Sequence, residues 1–215
     1  HGWVTFSGGM LGFLFGTALG IGLAVLIVHV RSLQKSLMPW IVVSQTIPIL
    51  AIAPMVVVVL GRPPLNLTGI VPKAIIATYL CYFPVAIGMV KGLRSPDPMQ
   101  LDLMRTYNAS PSQIFWMLRL PASMPFLFTS LKVGIASGIV AAIVAEMPTG
   151  ALAGFGSRLL AGSQFGQPMQ IWAALFAGAA LSFGGAGAEP GGMRGGPFRG
   201  RTPTLEVLEW WHLAL

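Results

Sequence analysis

From Met10 to Val30 the chain runs without one Asp, Glu, Lys or Arg. About 20 apolar residues suffice to cross a bilayer as a helix. Comparable apolar stretches recur at about 40–60, 70–91, 121–145 and 168–183, with Lys73 and Lys132 as isolated charges inside two of them. Only 9% of the residues are charged, 54% are hydrophobic and mean hydropathy is +0.76. An ordinary soluble domain carries roughly 25% charged residues, so this surface cannot face water. The expected fold is an all-α integral membrane protein, a polytopic helical bundle with five spans visible. The net charge of +7 is then a matter of membrane topology and does not point to nucleic acid. The single cysteine, Cys81, excludes an internal disulfide. The three histidines and scattered acids offer no metal-ligand spacing and no nucleophile–base pair, so neither a metal, a cofactor nor a catalytic residue is expected.

The first span carries Gly8, Gly12, Gly16 and Gly20. A spacing of four places them on one helix face, where small residues let another helix approach closely. The second expected span, about 40–60, contains Ser44-Gln45-Thr46-Ile47-Pro48 and then Pro54. Two prolines remove backbone donors, giving either a kinked helix or a broken one that lines a solute path, with Gln45 the leading candidate. Gly61 to Gly69 reads as a loop, and the third span includes Lys73, Cys81 and Pro84. Glu146 closes the fourth span. Residues 147–167 are glycine-rich and suit a short amphipathic or re-entrant piece. A fifth span from Pro168 ends where composition breaks into Gly, Pro and Arg or is completed by glycine and alanine to residue 188; the division taken is a membrane domain over 1–183 and a flexible tail over 184–215. The chain opens at His1 a few residues before a span, which reads as a fragment with one further span upstream.

The longest polar interval, 97–121, is written as two short helices. Asp97 precedes Pro98 with Gln100 three residues on; Ser110 precedes Pro111 with Gln113 three residues on. Each set is an N-cap, a proline in the first turn and a capping-box glutamine. The expected helices are 98–107 and 111–119, with Asn108 at a corner needing the left-handed conformation. With this segment in the cytoplasm, Arg31, Lys35, Lys91, Arg94, Arg105, Arg119 and the three tail arginines lie inside. Only Arg62, Arg158 and Lys73 fall outside, as the positive-inside rule asks. A docking element and a helix pair lying in the lipid interface are both open readings on pattern alone.

The same interval resembles the cytoplasmic EAA loop of ABC-importer permeases: E-A-A, three residues, G, nine residues, I-x-L-P. Here these positions are Asp102-Leu103-Met104, Asn108, and Leu118-Arg119-Leu120-Pro121. Asn108-Ala109-Ser110 with Gln113 is similar to the Gly-Ala-Ser-x-x-Gln of the nitrate/sulfonate/taurine branch. So are Gln45-x-x-Pro48 with Ala51 and Pro54, and Ala145-Glu146. The resemblance implies a type I importer permease of the bacterial inner membrane, working as a homodimer. Its partners would be a cytoplasmic ATPase and an extracytoplasmic solute-binding protein. It implies that Leu103, Met104 and Tyr107 seat in the ATPase, with Asp102, Asn108, Ser110, Leu118, Leu120 and Pro121 shaping the loop. Gln45, Pro48, Pro54 and Glu146 become path candidates. The solute would be a sulfonate-, taurine- or nitrate-like anion or a thiamine-precursor-like heterocycle. The chain has no G-x-x-x-x-G-K-[ST] phosphate loop, so hydrolysis would fall to the partner. An ion-gradient transporter or channel, whose one acid candidate is Glu146, and a non-transporting permease fragment are the competing readings.

Overall fold

The computed structural model describes residues 2–63, 69–148 and 153–187. Three helices form its centre: α1 (Gly2–His29), α4 (Ile70–Leu93) and the helix that ends in α7 (Leu120–Glu146). Between the first two lie α2 (Arg31–Ser44) and α3 (Ile49–Gly61). After α4 come α5 (Pro98–Thr106) and α6 (Pro111–Ile114); after α7 come α8 (Phe155–Gln164) and α9 (Pro168–Gly187). No strand occurs among the described residues.

The glycine face of α1 explains the central packing. Gly8, Gly12, Gly16 and Gly20 are all buried, and the last three sit directly on α4. A Cβ added at Gly12 would come 2.2 Å from the Cβ of Ala77, and one at Gly16 would come 2.6 Å from that of Cys81. The backbones are therefore closer than any side chain would permit. Thr78 Oγ1 bridges this seam, 2.8 Å from Ala74 O and 3.2 Å from Gly12 O. Gly9 meets Gly138 of α7, and the buried Cys81 thiol donates to Gly134 O at 3.1 Å. Cys81 is thus a packing residue tying α4 to α7.

Among the described residues, three helices are long and apolar enough to cross a membrane: Gly2–His29, Ile70–Leu93 and Pro111–Glu146. A broken pair, Leu33–Ser44 and Ile49–Gly61, passes the same test if taken as one span. The five expected spans map onto these and α9. α1 is 28 residues, so it is about 42 Å long at 1.5 Å per residue, ample for a ~30 Å hydrocarbon core.

Three boundaries differ from expectation. The second span is not a kinked helix over 40–60: helix starts again at Arg31, stops at Ser44 and resumes at Ile49 with a 94° bend. Pro48 cannot donate an N–H to Ser44 O, and Tyr79 of α4 supplies its hydroxyl to that carbonyl instead. The Ser44 side chain meets Tyr82 as well. Second, the helix expected over 111–119 does not end. A π-helical turn, Phe115–Arg119, carries it into α7, with the Leu120 N–H donating to Phe115 O five residues back. Pro121 lacks the N–H that an α-ladder would require there, and one wide turn absorbs the defect. Third, of the two ends weighed for the fifth span, α9 takes the longer and runs through Gly187, four residues past the boundary taken at 183/184, and Gly185 packs against Ile135 of α7. Residues 188–215 of the expected tail, like 64–68 and 149–152 of the two expected loops, lie outside the described residues. The expected short piece within 147–167 is α8.

The glycine seam makes a direct prediction. Gly12→Ala forces overpacking, with an expected cost of about 1–3 kcal/mol, read as a lowered thermal midpoint in detergent. Gly22, whose added Cβ would meet nothing within 4 Å, should accept alanine without loss. Equal effects at both positions would contradict the packing described.

Candidate functional site

Two constellations stand out: a buried ionic junction at one end of the bundle and a capped helical corner at the other end of α7. The junction is built around Glu146, the last residue of α7, whose side chain is 0% exposed. Thr5 Oγ1 lies 2.9 and 3.0 Å from its two oxygens. Lys73 Nζ, on a side chain only 5% exposed, lies 3.3 Å from Oε1. The Gly156 N–H donates to Oε2 at 2.9 Å, and the Phe155 N–H donates to Thr5 Oγ1 at 3.1 Å. One carboxylate therefore joins α1, α4 and α7 to the start of α8. Its charge also faces the positive end of that helix, where backbone N–H groups lack intrahelical partners.

Glycine is required for this approach. Gly154 holds φ 144°, and a Cβ there would fall 2.3 Å from the Glu146 carboxyl carbon. At Gly156 a Cβ would meet Ile143 O at 2.0 Å. Chain order hides these partners, because 141 residues separate Thr5 from Glu146. The readable signal was a lone lysine in one apolar span and a lone acid ending another. Lys73, expected near the start of the third span, is buried inside the described bundle.

The corner lies beyond the opposite end of α7. The Asp97 side chain accepts from the Met99 N–H at 3.0 Å, capping α5. At Ser110 the capping box is complete: Ser110 N–H donates to Gln113 Oε1 at 2.8 Å and Gln113 N–H to Ser110 Oγ at 3.3 Å. Asn108 has φ 54°, the single positive φ at a non-glycine position among the described residues. Its neighbours close α5, with the Ala109 N–H donating to Met104 O at 3.0 Å. Leu103 and Tyr107, one turn apart, are 57% and 77% exposed. Met104, Leu118 and Leu120 are half-buried, whereas Asp102, Ser110 and Pro121 are exposed. Asp102 pairs with Arg105 at 3.0 Å on the open surface, where such a bond contributes little.

The path candidates do not gather at one place. Gln45 opens the break between α2 and α3, and its Nε2 is buried with no hydrogen-bond partner among the described residues. Pro48 and Pro54 are exposed. Glu146 points into the bundle. Tyr79 and Tyr82, which sequence reasoning passed over, hold the break; two tyrosines three apart in an apolar span were the available clue.

A polytopic α-helical membrane protein with a capped helical corner beyond one end of its core is the class these features define. Over residues 16–186 the chain matches the family described as binding-protein-dependent transport system inner membrane component, and it belongs to that family. It is a multi-pass protein of the inner membrane. It is 34% identical over 146 residues to a probable ABC transporter permease protein of Haemophilus influenzae, covering 68% of this chain and 57% of that one. It is 29% identical to the formylaminopyrimidine transport permease protein ThiX of Halalkalibacterium halodurans, covering 63% and 52%. It is likewise 29% identical to the nitrate import permease protein NrtB of Synechocystis sp., covering 65% and 49%. The chain thus spans about half the length of the curated relatives it matches.

For the junction, Glu146→Ala leaves the Lys73 ammonium buried without its partner, at an expected cost of about 3–5 kcal/mol. Adding Lys73→Met should recover part of that loss in a denaturation series on the detergent-solubilised chain. Additive losses in the double variant would show that the two charges do not depend on each other.

Proposed function

We propose that this chain is a permease subunit of an ABC importer, forming part of the transmembrane path and coupling through residues 97–121 to a separate ATPase. The observation that carries this reading is the corner itself. Two side-chain caps and a left-handed Asn108 fix it, it exposes Leu103 and Tyr107, and it begins the helix that ends at Glu146. Apolar residues presented on a pre-formed corner suit insertion into a groove on a partner, since little ordering remains to be done on binding. Closure of the ATPases would move the corner, and the continuous helix Pro111–Glu146 would carry that displacement into the bundle. ATP hydrolysis belongs to the partner in this reading, and an extracytoplasmic binding protein delivers the solute. A second copy of the chain completes the path against the apolar outer surface, where Leu50, Met55 and Phe176 are exposed.

The solute in this reading is a small anion or a small heterocycle, supported by the nitrate and formylaminopyrimidine named for two relatives. Gln45, with an unmatched amide donor beside a broken helix, is the residue placed to meet a polar solute atom. Glu146 contributes by holding four helices together. The ion-gradient alternative loses support because its one candidate relay acid is engaged by Lys73, Thr5 and Gly156.

Asn108 tests coupling without touching the membrane path. Asn108→Val puts a β-branched residue at φ 54° and should break the corner, so ATP hydrolysis continues while uptake falls at least tenfold. Asn108→Gly accepts that backbone and should retain uptake. Native-like uptake in proteoliposomes with Asn108→Val would overturn the coupling role.

A further inference from the structure

A groove of about 370 Å³ opens between the end of α1 and the corner, within the range of roughly 300–1,000 Å³ typical of small-molecule pockets. Its lining divides cleanly by chemistry. His29, Arg105 and Arg119 supply cationic or hydrogen-bonding groups, while Val28, Ile114 and Phe115 supply an apolar wall. The His29 and Phe115 rings pack with centroids 5.0 Å apart, joining α1 to the π-helical turn. The His29 Nδ1–H donates to Val25 O at 3.0 Å, which leaves Nε2 as the ring's other polar atom. Arg105 shares its guanidinium with Asp102. Arg119 is half-buried and has no ion-pair partner among the described residues.

The surroundings of the groove identify its occupant. It lies at the His29 end of the spanning helix α1, on the side that the positive-inside rule assigns to the cytoplasm. Leu26 and Val30, one turn apart at the same end of α1, are exposed, and Trp116 beside Phe115 is 63% exposed. Tryptophan favours the headgroup level. A cationic cleft bordered by exposed apolar side chains suits a ligand that is anionic at one end and hydrocarbon at the other. The inner leaflet supplies such molecules, and basic pockets between spanning helices on that side bind their headgroups. From this geometry we infer that the His29–Arg105–Arg119 groove is a binding site for the phosphate of an anionic phospholipid of the cytoplasmic leaflet, whose chains lie against Leu26, Val30 and Trp116. A lipid there contacts both a spanning helix and the capped corner, so the leaflet's anionic content would bear on how firmly the corner is held. This inference does not depend on the transport reading.

The experiment uses the full chain, purified in neutral detergent, with fluorescent short-chain phosphatidylglycerol as probe. Phosphatidylcholine and inorganic phosphate serve as competitors. The site predicts that phosphatidylglycerol competes about tenfold better than phosphatidylcholine and that millimolar phosphate does not displace the probe. Arg105→Gln with Arg119→Gln should weaken probe binding roughly thirtyfold, whereas Arg119→Lys should keep it. Equal competition by the two lipids on the native chain overturns the inference whether or not any variant folds. Displacement by free phosphate would make the groove a soluble-anion site and overturn the lipid assignment.

Discussion

A buried carboxylate sets the terms for this bundle. Glu146 sits among α1, α4, α7 and α8 with no exposure to solvent, and it is held by a lysine, a threonine and a backbone N–H. A charge in such a place is costly unless each of its acceptor positions is met. The helices are consequently not free to slide past one another, because any shift of α1 or α4 would strip Glu146 of Thr5 or Lys73. Nonspecific apolar packing gives helices no such register. The glycine seam supplies close approach; the ionic junction selects one alignment from the many that close approach would allow.

That alignment matters because of what lies at the far end of α7. The helix Pro111–Glu146 is unbroken in direction over 36 residues, roughly 54 Å at the α-helical rise. It therefore links the buried junction to the capped corner. The π-helical turn at Phe115–Arg119 keeps the rod continuous past Pro121 and sets Phe115 against His29 of α1. The broken helix α2–α3 is organised on the opposite principle. Proline opens its ladder, two tyrosines of α4 hold the break, and Gln45 keeps an unmatched donor. In the proposed reading this is a physically sensible division: the stiff rod would carry displacement, and the interrupted helix would offer polar groups within the membrane.

Local chemistry was legible in the sequence, and long-range pairing was not. Asp97, Ser110 and Gln113 announced their caps because capping depends on residues two or three apart, although Gln100, expected to complete a box with Asp97, does not do so: Asp97 caps through Met99 alone. Asn108 announced its left-handed turn because few residues tolerate that backbone. The glycines of α1 were readable as a contact face, since spacing of four needs no knowledge of the partner. Their partner, α4, was not readable, nor was the meeting of Lys73 with Glu146, because nothing local records which helices become neighbours. The 94° turn after Ser44 was half-legible: Pro48 promised a defect, but its size depends on Tyr79 and Tyr82, more than thirty residues away. The merger of α6 into α7 was missed because Pro121 reads as a stop in an α-helix, and a wide turn is a less common way around it.

In the proposed reading, residues 97–121 form a docking corner for an ATPase. The most direct measurement is co-purification of the membrane-inserted chain in mild detergent with the ATPase encoded nearest to its gene, beside a Leu103→Asp, Tyr107→Asp variant. Retention of the ATPase by the native chain and its loss from the variant is the predicted result. Equal retention by both, with the variant inserted and folded, would contradict the claim and place the contact elsewhere on the chain.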